Sequence, residues 1–129
     1  NMVKFFSENQ EEIQGAFETY SYYWSVDYAR EVMDRAYVPI AEGTIRYFKE
    51  IGKWTEADDA RQEYNIKLID KYAAAYSECL DAAHADGMKI DTQDQEWLDY
   101  WEAYKEKLEL PPVVIMSDAE IAEALAAGF

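Results

Sequence analysis

The residues that bring reactive side chains to this sequence are one histidine, one cysteine and an excess of carboxylates. His84 falls near the end of a predicted helix, and no cysteine or second histidine lies one helical turn away, so the spacing of a zinc site is missing. An imidazole at that place complements the helix dipole, which makes it a satisfied surface residue. Cys79 can form no internal disulfide, sits on an apolar helical stripe and reads as a small buried hydrophobe. The adjacent acids Glu11 with Glu12, and Asp58 with Asp59, point in different directions on a helix and do not converge as an acid–base pair. A di-iron bundle needs Glu-x-x-His on two helices, which a single histidine cannot supply. The run Asp86-Gly87-Met88-Lys89-Ile90-Asp91 invites a calcium-loop reading but fails its spacing. With Gly87 at the turn, the first ligand would be Ala82 and the closing one Gln93. It reads instead as a helix stop followed by a helix cap. There is no glycine-rich phosphate loop, nucleophile elbow or HExxH. The expectation is a protein that is not an enzyme, with no cofactor and no bound metal.

The elements that position these residues are helices. The chain has 129 residues, 50 % of them hydrophobic, which suits a single helical domain or fragment over 1–129 with a real core. Five glycines and three prolines are too few for the turns of a many-stranded sandwich or barrel. The predicted fold is all-α, with five to six helices at about 8–20, 26–37, 42–51, 56–86, 92–108 and 118–126. Ser7 with Gln10 and Ser117 with Glu120 are capping boxes, Thr55 with Asp58 is a shorter version, and Asp91 with Asp94 gives an acidic start. Gly52 and Gly87 are helix stops. Residues 20–25 form a bend or a continuation of the first helix. In the longest helix Asn65, Ile69, Tyr72, Tyr76, Cys79 and Ala83 follow three-four spacing, widened by Leu68 and Leu80. The short link after it predicts an antiparallel pair with the next helix. Pro111-Pro112 imposes an extended stretch, giving a short strand or a strap over residues 113–116.

A net charge of −15 argues against nucleic-acid binding and against docking on anionic lipid. It serves solubility, or else a basic partner or cations. No run of about 18 apolar residues is present, so no direct membrane insertion is expected. Aromatics make up 16 % of the chain. They cluster at Tyr20, Tyr22, Tyr23, Trp24 and Tyr28 and again at Trp97, Tyr100, Trp101 and Tyr104. Periodic members belong to the core. Tyr23, Trp24, Trp97, Tyr100 and Trp101 are the candidates for a protein interface.

One stretch is more specific than amphipathic helix: Val38-Pro39-Ile40-Ala41-Glu42-Gly43-Thr44-Ile45-Arg46-Tyr47-Phe48-Lys49-Glu50-Ile51-Gly52-Lys53-Trp54. It resembles a segment near the C-terminus of TAXI-type solute-binding proteins, the extracytoplasmic receptors of one class of TRAP transporters. That segment typically runs Pro-Leu-His-Pro-Gly-Ala, then Arg-Tyr-Tyr-Lys-Glu, a hydrophobic residue, Gly and often Trp. Pro39, Gly43, Arg46, Tyr47, Lys49, Glu50, Gly52 and Trp54 stand in matching positions, and Phe48 keeps an aromatic. Ala41, Glu42 and Thr44 depart from the usual His, Pro and Ala, so no role of that histidine carries over. The likeness is closest over 39–54 and looser over 3–83. It implies a non-catalytic helical C-terminal part of a periplasmic receptor whose two α/β lobes lie in preceding sequence. Its partners would be those lobes or a membrane permease, and it would not bind the transported solute alone. The reading that needs no family is a free-standing acidic α-helical interaction module with a protein partner.

Overall fold

A computed structural model of the chain describes residues 2–16 and 22–129, with the backbone alone for Trp24. Seven α-helices are present among the described residues: α1 Met2–Glu8, α2 Gln10–Ala16, α3 Val26–Asp34, α4 Glu42–Glu50, α5 Glu56–Ala85, α6 Gln95–Lys107 and α7 Asp118–Ala126. A single 3₁₀ turn, Tyr22–Trp24, precedes α3, and no strand occurs among the described residues. The all-α expectation therefore stands, while the count exceeds five to six. The expected strand or strap over 113–116 is corrected. Residues 110–117 form no strand, and Val113, Val114 and Ile115 are exposed instead of lying packed across helices.

The chain divides into two compact units, one of residues 1–65 with 114–129 and one of residues 66–113. In the first, Met33, Tyr47 and Phe48 form the buried centre, and Val3, Val26, Ala29, Ile40 and Trp54 pack against it. This core explains why the N-terminal helix differs from expectation. Val3 packs on the core and Lys4 pairs with Glu50, so helix begins at Met2 and Ser7 lies inside α1 instead of capping it. Tertiary burial here outweighs the local capping signal. The break comes at Asn9, whose side-chain amide donates at 2.7 Å to the Phe5 carbonyl, the acceptor that its own backbone N–H also uses at 3.1 Å. The expected continuation of that helix through 17–21, Tyr20 included, lies outside the described residues.

The helix expected over 26–37 stops at Asp34. Asn65 explains the early stop, because its amide donates to the carbonyls of Ala36 and Val38 at 3.2 and 3.1 Å. Gln62 both accepts from Ile40 N–H at 2.7 Å and donates to Ile40 C=O at 3.1 Å. Two amide side chains of α5 thus satisfy the backbone that leads through Pro39 into α4. Ser117 and Glu120 form the expected capping box of α7, with Glu120 Oε2 accepting from Ser117 N–H at 2.7 Å.

In the second unit α6 packs on the later part of α5. Cys79, Ala83 and Trp97 are its buried centre, joined by Leu80, Met88, Ile90, Tyr100, Trp101 and Tyr104. Tyr72 donates to the Pro111 carbonyl at 2.8 Å, while Tyr76 meets Trp101 and Trp97 edge-on. Partners that fall in sequence as α5 rises make the two helices antiparallel, as the short link predicts. The helix expected over 92–108 begins at Gln95. Asp94 caps it by accepting from Glu96 N–H at 3.1 Å, and Asp91 is used one turn earlier, accepting from Gln93 N–H at 3.0 Å.

Candidate functional site

The segment 39–54 folds as one motif whose side chains mostly serve packing. Ala41 starts α4 with extended backbone and no side-chain cap, and Glu42 and Gly43 fill the first turn. Tyr47 and Phe48 point into the core of the first unit, and Phe48 is 0 % exposed. The helix closes in a Schellman arrangement. Lys53 N–H donates to Phe48 C=O at 2.8 Å and Gly52 N–H to Lys49 C=O at 3.2 Å. Gly52 takes φ +67°, in the left-handed region that glycine adopts without a Cβ clash.

The chain then turns Trp54 back beside α5. Its indole N–H donates to Asp59 Oδ1 at 2.8 Å, and Lys49 Nζ lies 3.3 Å from the same carboxylate and 5.7 Å from the Trp54 ring centroid. The Trp54 hydrogen bond, with help from Lys49, holds the Asp59 carboxyl below its usual range. Glu50 is taken by Lys4. Among these motif residues Arg46 is exposed and has no partner among the described residues, and Pro39 is half-buried in the link held by Gln62 and Asn65.

Beneath the motif lies an ion pair whose long-range half the sequence does not advertise. Arg30 donates to both carboxylate oxygens of Asp58, at 2.9 and 2.6 Å, and to the Lys53 carbonyl at 3.1 Å, and it also pairs with Asp34. Asp58 is 5 % exposed and accepts from Thr55 N–H at 2.7 Å and Thr55 hydroxyl at 2.8 Å. Burial pushes the Asp58 carboxyl up, but hydrogen bonds from Arg30 and Thr55 outweigh it and hold it below the usual carboxylate range. Thr55 with Asp58 is legible as a cap. Arg30, 28 positions earlier, carries no local signal that it completes the pair.

The candidate interface residues scatter. Tyr23 is exposed and meets Tyr22 and Tyr28 edge-on; the Trp24 side chain lies outside the described residues. Trp97, expected at a surface, is 2 % exposed. The reason is that α6 turns Trp97 onto the small residues Cys79 and Ala83, which leave room for an indole. Tyr100 and Trp101 are half-buried against the same cluster, and Tyr100 donates to Asp86 Oδ2 at 3.3 Å.

Cys79 is fully buried, and burial pushes its thiol up, away from the reactive thiolate. His84 is exposed at the end of α5. The 86–91 loop works as a helix stop, with Gly87 at φ +71° and Lys89 paired to Asp91 at 2.9 Å. Among the described residues no group of three or more His, Cys, Asp or Glu is placed to hold a metal ion. Among the described residues no helix is long and apolar enough to cross a membrane. Comparison of the chain with family models, curated proteins and solved structures finds no match.

Proposed function

We propose that this chain is the helical C-terminal portion of a TAXI-like extracytoplasmic receptor of a TRAP-type transport system, and that it is non-catalytic. The observation that supports it best is the use made of the segment 39–54. Tyr47 fills a core beside Phe48, Gly52 ends a helix and Trp54 docks on Asp59, so these three residues shared with the receptor motif serve packing and helix ends, while Arg46 stays exposed. In this reading the segment clamps the C-terminal helices together, and the outer surface packs on the receptor lobes or docks on the permease. The solute cleft belongs to the lobes, and the helical part holds no solute by itself. Periplasmic location follows from the same reading. A second reading, a free-standing acidic interaction module, is favoured by the exposed aliphatic side chains Val32, Val38, Val114 and Ile115.

Calorimetric titration of the chain with small mono- and dicarboxylates tests the first reading. No binding is expected. A Kd at or below about 10 μM, worth roughly −7 kcal/mol, contradicts it.

A further inference from the structure

The open side of α3, within the unit of residues 1–65 and 114–129, carries an unfilled apolar surface. Val32, Tyr37, Val38 and Ile115 are 50, 48, 46 and 54 % exposed. With Arg35 and Ile40 they line one groove of about 480 Å³. Arg35 is the only base on its wall, and its guanidinium has no ion-pair or hydrogen-bond partner among the described residues. The acid on the same wall, Glu31, already accepts from the Tyr22 hydroxyl at 3.0 Å. Arg35 caps α3, and the helix dipole accounts for a base at that end. The dipole does not account for an apolar groove built around it.

Beside Ile115 the backbone is unused as well. Residues 111–117 run without helix, turn or bend. Among the described residues the N–H and C=O groups of Val114 and Ile115 have no hydrogen-bond partner. The far end of this segment is fixed: Arg61 donates to Met116 C=O at 2.9 Å and Glu120 accepts from Ser117 N–H at 2.7 Å. No charged residue stands between Glu109 and Asp118, so the usual lysine guard of an unpaired strand is absent. Backbone with free N–H and C=O groups next to a side-chain pocket is the kind of place where a peptide can be captured by added main-chain hydrogen bonds.

We propose that this groove binds an extended peptide segment of a partner protein, one that carries a carboxylate. Its main chain bonds to the free groups of Val114 and Ile115. An aliphatic or aromatic side chain seats between Val32 and Val38, and the carboxylate pairs with Arg35. Glu31 keeps its charge on the same wall but is engaged by the Tyr22 hydroxyl, so Arg35 is the group left to pair with a charge of the partner. This proposal does not depend on the receptor reading, because it rests on the groove alone.

Selection of a displayed random decapeptide library on the full chain tests it. Enriched sequences are expected to alternate apolar residues and to place Asp or Glu at a fixed position. A synthetic peptide of that sequence is expected to shift the amide resonances of Val114 and Ile115. Arg35→Glu should weaken it by about tenfold or more, and a Lys in the peptide's acidic position should restore binding. That restoration separates lost pairing from lost folding. The proposal is overturned if no sequence is enriched, or if enriched peptides bind R35E equally well. It is also overturned if they shift only amides elsewhere, or if the chain occupies the groove with a second copy of itself.

Discussion

Asp58 is a nearly buried carboxylate that stays ionised because Arg30 and Thr55 surround it. Removing one partner of such a pair leaves the other uncompensated. Asp58→Ala should therefore cost about 3 kcal/mol, the lower end for buried pairs because Arg30 keeps some solvent contact. Denaturant unfolding at neutral pH measures it. The pH dependence has a definite sign. The folded carboxyl titrates below its unfolded value of about 3.9, so its contribution is complete above that pH and is lost as pH falls through the lower, folded value. Asp58→Asn should flatten the fall in stability below about pH 4 relative to the parent chain. Only half of this site was legible in the sequence: the Thr55 cap is local, whereas Arg30 is brought by tertiary packing. Trp97 shows the same limit from the other side. It was a candidate for an interface, and the space beside Cys79 and Ala83 that takes its indole exists only where α6 packs on α5.

At the scale of elements, helix ends govern the fold. Gly52 adopts φ +67° with no heavy atom within 4 Å of where a Cβ would stand, so the cost of Gly52→Ala is conformational. About 1 kcal/mol is expected, read from the thermal or urea midpoint. The end of α6 makes the converse case. Leu110 N–H donates to Lys105 C=O and Glu109 N–H to Glu106 C=O, a Schellman closure like that of α4, yet the left-handed position is Glu109 at φ +51°. Glu109→Gly should stabilise by up to about 1 kcal/mol, and a fall in midpoint would contradict the assignment. Glycine stops were legible, and Gly52 and Gly87 both end helices where expected. A stop made by glutamate was not. Starts were less legible, because Ser7 and Asp91 offered caps that packing and Asp94 superseded. In α5 the expected stripe through Ile69 and Tyr76 is offset from the buried one, which passes through Leu68 and Ala75 before rejoining at Cys79. Three-four spacing left two neighbouring registers open, and the facing elements chose between them.

For the whole molecule, 27 acids against 12 bases create self-repulsion that the ion pairs found here do not cancel. Raising salt from about 10 mM to about 300 mM should increase the thermal midpoint, as screening shortens the range of that repulsion. A falling midpoint would mean that pairs such as Lys4–Glu50 and Arg61–Asp118 outweigh it. Fold class followed from helical periodicity and scarce turn residues, both of which the sequence carries locally. Function was less so, because motif residues that pack and punctuate a helix resemble, in sequence, residues that touch a ligand. If the segment 39–54 belongs to a receptor's helical C-terminal part, the coding sequence upstream of Asn1 must encode the receptor's lobes. The receptor reading predicts about 250–300 residues of alternating strand and helix pattern behind a signal peptide. A start codon at Met2 with no such sequence before it would contradict the claim.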